Sequence, residues 1–309
     1  MIATVTLNPS IDRRYNIAEL KLNSVQRTGD YQATAGGKGI NVTKVIHLLE
    51  EEVTAFGFLG GHSGNFMKEK ISELKIKGSF TEIEGTTRSC LNIIDAEQNS
   101  IEVLENGPEI SEAEKEKFLE EYKANLKNVE IITMSGSLPA GIESGFYQKL
   151  IEIAKAEAKT VILDSSGRSF VAGLKAGPDI IKPNQSEVEA IVDFPLRTEK
   201  DFLKAGSILQ QKGAEAIALS RGKAGMFYLD QNKAYKVEVP KIEVLNATGS
   251  GDSVVAGLAV AVRRKMSLEE MLKFANACGM ANAVEKTTGL VRQKNLEKYM
   301  KKIKVREVK

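Results

Sequence analysis

Short apolar runs alternate with stretches of helical period along most of the chain. Residues 2–7 read as a buried strand, which Asn8-Pro9-Ser10 stops. Residues 53–59 read as another, ending in Gly60-Gly61. Helical spacing appears at Val42, Val45, Ile46 and Leu49, over 64–76, and at Val254, Val255, Leu258, Ala259 and Val262. From residue 111 the pattern is regular. Ser111 opens a helix with Glu112 and Glu114 in its first turn. Strand 129–134, helix 144–158, strand 160–164, strand 179–182, helix 198–212 and strand 215–220 follow, and a long helix covers 267–286. This alternation predicts βα crossovers, a mostly parallel sheet and an α/β fold.

Two stretches break that pattern. Residues 13–34 lack a helical period and carry short polar–apolar runs such as Tyr15-Asn16-Ile17 and Val25-Gln26-Arg27. Residues 80–104 break into runs such as Ser89–Ile94 and Ser100–Leu104. Together they predict a flap of four or five strands outside the main core. Lys241–Leu245 reads as a further extended run, and Met226–Leu229 as the return strand of a hairpin.

Composition narrows the classes. A chain of 309 residues is long enough for one large α/β domain or two smaller ones. Its net charge of +2 suggests no polyanion, so nucleic acid is not an expected partner. The local basic cluster Lys301-Lys302-Ile303-Lys304 reads as a solvated helix end. Cys90 and Cys278 are far apart and form no CxxC, which argues against a disulfide framework or a zinc site. His47 and His62 cannot supply a His-rich metal site, and His47 reads as structural. The N-terminus lacks a basic n-region and a signal-length apolar core, and the apolar run near 254 is too short for a bilayer. A cytoplasmic location without a membrane partner is the expectation.

The chemistry gathers where strands end. Asn246-Ala247-Thr248-Gly249-Ser250-Gly251-Asp252 precedes a helix, so its glycines let N–H groups crowd around an anion at a helix N-terminus. Asp252 at that point either takes a proton from a substrate hydroxyl or is an ordinary first-turn carboxylate. Ala35-Gly36-Gly37-Lys38-Gly39-Ile40-Asn41 lacks Walker A spacing. Its glycines admit a ligand close to the backbone, and Lys38 offers charge for a phosphate. Asp12 follows the first strand and serves either a ligand or the turn. Arg88 gains interest only beside a phosphate. Asn184 and Glu187, three apart, suit a water-bound Mg²⁺, a capping box, or both. Ser220–Gly225 suits nucleotide phosphates, with Arg221 and Lys223 read as solvated. Asn276 and Gly279 leave room for an adenine ring or for close helix packing.

Four segments follow one another along the chain: Gly36–Asn41, Ser135-Gly136-Ser137-Leu138-Pro139 after strand 129–134, Lys182–Glu187 and Thr248–Asp252. Through them the whole chain resembles the ribokinase-like sugar kinases, the PfkB family. Asn8–Asp12, Glu105–Glu109 and Val244–Asn246 resemble its tagatose-6-phosphate kinase and 1-phosphofructokinase branch, and Leu163–Gly167 leans to the former. The resemblance implies a three-layer α/β/α sandwich, a single domain over 1–309, and a β-sheet lid from insertions at about 12–34 and 86–105. It implies ATP and Mg²⁺ as cofactors and a ketohexose monophosphate as acceptor, tagatose 6-phosphate before fructose 1-phosphate. Asp252 would be the base, with Gly249, Ser250 and Gly251 as the anion hole. Asp12, Gly36, Gly37 and Asn41 would hold the sugar. Lys38, Arg88 and Ser137 would hold its phosphate, with Arg27 from a partner's flap in a homodimer. Lys182, Asn184, Ser220, Gly222, Gly225 and Asn276 would line the ATP site, and Asn184 with Glu187 would organise Mg²⁺. Arg221 stands where the family often has a small apolar residue. A nucleoside or neutral-sugar kinase and a non-catalytic sugar-phosphate sensor are the rival readings. Lys38 and Arg88 argue against the first, and Asp252, Glu187 and the glycine loops argue against the second.

Overall fold

The computed structural model describes residues 1–97 and 99–308. Strands β1 (Ile2–Thr6), β2 (Ser10–Asn16) and β3 (Tyr31–Gly36) lead into helix α1 (Lys38–Leu48). Next come β4 (Val53–Gly60), α2 (Gly61–Glu73), β5 (Lys77–Ile83), β6 (Arg88–Ile94) and β7 (Ser100–Leu104). The regular part runs α3 (Glu112–Asn125), β8 (Ile131–Ser135), α4 (Phe146–Ala156), β9 (Thr160–Asp164), α5 (Gly167–Leu174), β10 (Ile180–Ile181), α6 (Gln185–Val192), α7 (Glu199–Gln211) and β11 (Ala216–Ser220). The chain closes with β12 (Met226–Leu229), β13 (Ala234–Glu238), α8 (Ser250–Arg263), α9 (Leu268–Ala283), α10 (Gln293–Met300) and β14 (Lys304–Val308).

One ten-stranded sheet has the order β14-β13-β12-β11-β10-β9-β8-β1-β4-β5. It is parallel from β11 to β5 and antiparallel from β11 to β14. Its central strands are buried on both faces, so they carry the near-continuous apolar runs expected of parallel strands. Their side chains divide by the period of two. Ile131 joins one core while Ile132 and Met134 join the other, and Ala216 and Ala218 oppose Ile217 and Leu219. Helices α1, α2, α8, α9 and α10 cover the first face, and α3 to α7 the second. This is the three-layer arrangement that the alternating pattern and the resemblance predict.

A separate four-stranded sheet has the order β3-β2-β6-β7. Here β2 pairs antiparallel with β3 and parallel with β6. It takes up most of the strands expected in the two irregular stretches, but residues 80–83 end β5 of the main sheet, and Val25-Gln26-Arg27, expected as an exposed strand, is loop. The outermost strand, β7, is exposed along its whole length.

Four helices begin with a reciprocal capping box: Ser111 with Glu114, Asn184 with Glu187, Thr198 with Asp201 and Ser267 with Glu270. The closing part of the chain departs from expectation in places. Lys241–Leu245, expected as an extended run, forms no strand and bends at Leu245. Lys301 is the C-cap of α10 and Lys302 donates back to Tyr299 O, both exposed, so the cluster begins as the solvated helix end expected of it, and Lys304 opens β14. Strands β13 and β14 are absent from the sequence reading. Edge strand β14 has Lys304, Arg306 and Glu307 exposed, with only Val305 and Val308 apolar, so it carries no hydrophobic run.

The close approach of α8 to α9 depends on Gly257. A Cβ there would lie 2.6 Å from the Ala275 Cα and 3.1 Å from the Cys278 Sγ. Gly257→Val is therefore expected to cost about 1–3 kcal/mol of stability by overpacking. Denaturant unfolding measures it, and a variant as stable as the parent would refute the tight contact.

Candidate active site

The strand ends of β1, β8, β9, β10 and β11 open on one cleft, closed on its other side by the small sheet. Its volume of about 1370 Å³ exceeds the ~300–1,000 Å³ usual for one small ligand, so two substrates fit together. Several helices start at it, among them α1 and α8. Gly37 (φ 93°) precedes α1 and Gly249 (φ 79°) precedes α8, and neither helix has a side-chain cap. Without a cap, first-turn N–H groups remain to bind an anion. At Gly249 a Cβ would come within 2.5 Å of the Thr288 Cγ2, and its φ is one that L side chains rarely adopt.

Asp252, in the first turn of α8, is only 7% exposed. Its Oδ2 accepts a 2.9 Å hydrogen bond from Nδ2 of Asn41 on α1. Burial pushes its pKa up to about 6, and the charge of Asp164 adds to this. The Asn41 bond and the charges of Lys38 and Lys182 oppose the shift. Asp164 is wholly buried at the end of β9. The ammonium groups of Lys182 and Lys38 lie 3.4 and 3.5 Å from its Oδ1, and its Oδ2 has no hydrogen-bond partner among the described residues. For Lys38, burial works against the charged form, but Asp164, Asp252 and Glu187 outweigh it and raise its pKa.

At the small-sheet end, Arg88 donates to main-chain oxygens only. Its Nε and Nη2 reach Asn8 O at 3.3 and 3.0 Å, and Nη1 reaches Glu105 O at 2.8 Å. No carboxylate bonds it among the described residues, so its charge is available to a ligand. Ser10 Oγ donates to Asp12 Oδ1 at 2.6 Å, and Asn8 Nδ2 reaches Ser137 Oγ at 3.3 Å. At the far end Asn276 donates to Leu272 O and the Met226 sulfur.

The cleft is lined by all the expected residues except Gly36, Glu187 and Arg27. Gly36 has a packing reason, because a Cβ there would overlap the Asp12 carboxylate. Gly39 is similar, since a Cβ would overlap Thr6 Oγ1. Of the three glycines in that loop only Gly37 lines the cleft. Gly279 lines it too, and a Cβ there would meet Val254 Cγ2 at 2.8 Å, so close helix packing accounts for that glycine. Arg27 lies in an exposed loop. Glu187 sits behind Asn184: its Oε2 accepts the Asn184 N–H at 2.9 Å, and the Glu187 N–H reaches Asn184 Oδ1 at 2.9 Å. One further expectation holds in part. Lys223 is exposed as expected, but Arg221 is only partly exposed, its guanidinium 4.6 Å from the Phe202 ring centroid and 5.1 Å from that of Phe227. Asp164 carried no role in the sequence reading, although a carboxylate closing a buried strand was the available signal.

The family model for pfkB family carbohydrate kinases matches residues 5–294. The chain belongs to that family. A Staphylococcus aureus protein provisionally assigned as a phosphofructokinase is 31% identical, with 100% of this chain and 99% of that chain covered and a TM-score of 0.86. Escherichia coli phosphofructokinase-2, solved with substrates and products, is 27% identical over 97% and 98% of the two chains, with a TM-score of 0.91. A Thermotoga maritima protein provisionally assigned as a 1-phosphofructokinase is 26% identical over 100% and 99%, with a TM-score of 0.91. This pfkB family member is therefore a ribokinase-like carbohydrate kinase, a phosphotransferase acting on a sugar hydroxyl. Among the described residues no helix is long and apolar enough to cross a membrane.

The raised pKa of Asp252 has a consequence for stability. Below its ordinary value of 3.8 the group is neutral folded or unfolded; as pH rises through about 6 the folded state acquires a buried charge and loses stability. Asp252→Asn never ionises. It is expected to be more stable than the parent at pH 8 by about 1–3 kcal/mol, the gain shrinking towards pH 4. Denaturant titrations at both values measure this, and no gain at pH 8 would mean that Lys38, Lys182 and Asn41 compensate the charge in full.

Proposed function

We propose that the protein transfers a phosphoryl group from Mg-ATP to a ketohexose monophosphate, giving a bisphosphate and ADP, with tagatose 6-phosphate preferred to fructose 1-phosphate. The observation that carries this reading is one cleft with a buried carboxylate beside an uncapped helix N-terminus and an unpaired arginine at the acceptor end. The preference for tagatose 6-phosphate rests on the Leu163–Gly167 likeness alone.

Asp252 takes the proton of the acceptor hydroxyl as the oxygen attacks. Its pKa near 6 leaves it ionised at neutral pH while making it a stronger base than an exposed carboxylate. Gly249, Ser250 and Gly251 hold the transferring group on their N–H groups. Asp12, Gly37 and Asn41 orient the sugar hydroxyls. Lys38 was read from sequence as a ligand of the acceptor's own phosphate. Its neighbours Asp164, Asp252 and Glu187 favour the transferring group instead. Arg88 and Ser137 then hold the acceptor's phosphate. Lys182, Asn184, Ser220, Gly222, Gly225 and Asn276 line the ATP half.

Asn184 and Glu187 are already engaged in their capping box, so they fit a Mg²⁺ held through water, and Glu187 Oε1 is free of the box. When bound, that ion would neutralise triphosphate charge. The small sheet acts as a lid excluding water. Its exposed Tyr31, Ile101 and Val103 suit a second copy, which would bring its Arg27 to the acceptor phosphate.

ADP release with Mg-ATP is expected to be fastest, by kcat/KM, for tagatose 6-phosphate among that sugar, fructose 1-phosphate and fructose 6-phosphate. Activity on none, with ribose or a nucleoside active, would overturn the reading. In the same assay Asp252→Asn should lower kcat by about 10²–10⁴. Arg88→Ala should raise KM for the sugar phosphate about 10–100-fold and leave KM for ATP within about twofold. Sedimentation is expected to find a dimer, and a monomer at micromolar concentration would remove the partner's Arg27 from the site.

A further inference from the structure

Two side chains from distant parts of the chain meet on one main-chain oxygen, the carbonyl of Lys286. Arg14 on β2 donates to it from Nη1 at 3.1 Å, and Asn246, in the loop before α8, donates from Nδ2 at 3.3 Å. The two donors occupy both lone pairs of that oxygen. Nε of Arg14 also donates to Asn16 Oδ1 at 3.3 Å, which fixes the guanidinium to its own strand.

Behind Lys286 lies a bonded unit. Asn246 reaches Thr288 Oγ1 at 3.0 Å, and its Oδ1 accepts the Thr248 N–H at 3.0 Å. Asn282 donates to Thr248 O at 2.9 Å and accepts the Gly289 N–H at 2.8 Å. Segments 246–250 and 282–289 are thus laced together, and they include Gly249, the residue that opens the anion-binding helix start. The other bonds of the small sheet run elsewhere. Arg88 reaches the loop after β1, and Ala35 O accepts from Lys44 on α1. Among the described residues, Arg14 is the small-sheet side chain bonded to segment 282–289.

We infer that Arg14 is a positioning residue that couples the small sheet to the anion-hole loop, so that seating the sheet over the acceptor and shaping the site for the transferring phosphoryl group occur together. This deepens the kinase reading and rests on it for its function. The mechanical part does not need the substrate. A charge-assisted bond to a carbonyl restrains both partners, and its loss frees the more weakly held one. Residues 286–288, between the end of α9 and the buried Gly289, are exposed or half-buried, so they are the stretch that loosens.

Hydrogen exchange on the ligand-free protein is the first test. Arg14→Met keeps the aliphatic stem and removes the donors. Amide exchange is expected to rise about tenfold at 246–250 and 286–289, with α3 and α4 unchanged. Arg14→Lys retains one donor and should stay within about twofold of the parent. Faster exchange confined to residues 10–16, or spread evenly over the chain, would overturn the coupling. The kinetic arm uses whichever ketohexose phosphate the parent turns over. Arg14→Met should lower kcat about tenfold with KM for that acceptor changed less than about twofold; a change in KM alone would overturn the inference. A parent inactive on every ketohexose phosphate would defeat the kinase reading, and the exchange result would still decide the mechanical coupling.

Discussion

The hydrogen bond from Asn41 to Asp252 joins the starts of two helices across a cleft, and most of the site follows from it. A carboxylate buried at that depth is costly to ionise, since burial disfavours the charged form. Asp164 makes matters worse by placing a second buried carboxylate nearby. Three features counter this: the amide of Asn41, the ammonium groups of Lys38 and Lys182, and the positive end of α8. The balance is intermediate. A pKa near 6 is high enough to give a useful base and low enough to leave the group charged at neutral pH. Removing either lysine would take away a charge that holds the Asp252 pKa down.

The α/β framework is what permits such a cluster. Parallel strands buried on both faces put their C-terminal ends at one edge, where loops need no apolar cover. Asp164 closes β9, Lys182 follows β10, and Lys38 and Asn41 open α1 beside β1. The two layers of helices hold these ends from opposite faces through separate cores. Close packing of α1 on β1, which Gly39 allows, brings the Asn41 side chain to α8. Rigid elements rather than mobile loops therefore carry the acidic and basic groups.

Much of this was legible along the chain because it is written in local patterns. Buried parallel strands show as apolar runs, and glycine loops before helical periods mark helix starts. The layer order, the small sheet and most of the cleft residues follow from those signals together with the family likeness. What escaped depends on distance. The cation–π contact of Arg221 requires Phe202 and Phe227 from two other elements, and no local feature separates it from a solvated arginine. The unpaired Oδ2 of Asp164 is visible only once Lys38 and Lys182 converge on its other oxygen. Strand β14 escaped for a different reason. It lies at a sheet edge, where one charged face is tolerated, so it lacks the apolar run that reveals a central strand.

The glycine loop before α1 shows how a correct motif can conceal a mixed cause. Three glycines within four residues suggest a ligand pressed against bare backbone. Only Gly37 has that role to play, because it lines the cleft at a φ that L side chains rarely adopt. Gly36 yields its space to the Asp12 carboxylate, and Gly39 yields its own to Thr6. Two of the three glycines thus serve the protein's own packing, and they serve the ligand indirectly, by seating Asp12 and α1. Substitution at Gly36 would displace the Asp12 carboxylate, which lines the cleft, without itself reaching the cleft. A motif read as contact is better read as the set of close approaches that lets one contact form, and Arg14 with Lys286 applies the same logic between the small sheet and the anion-binding loop.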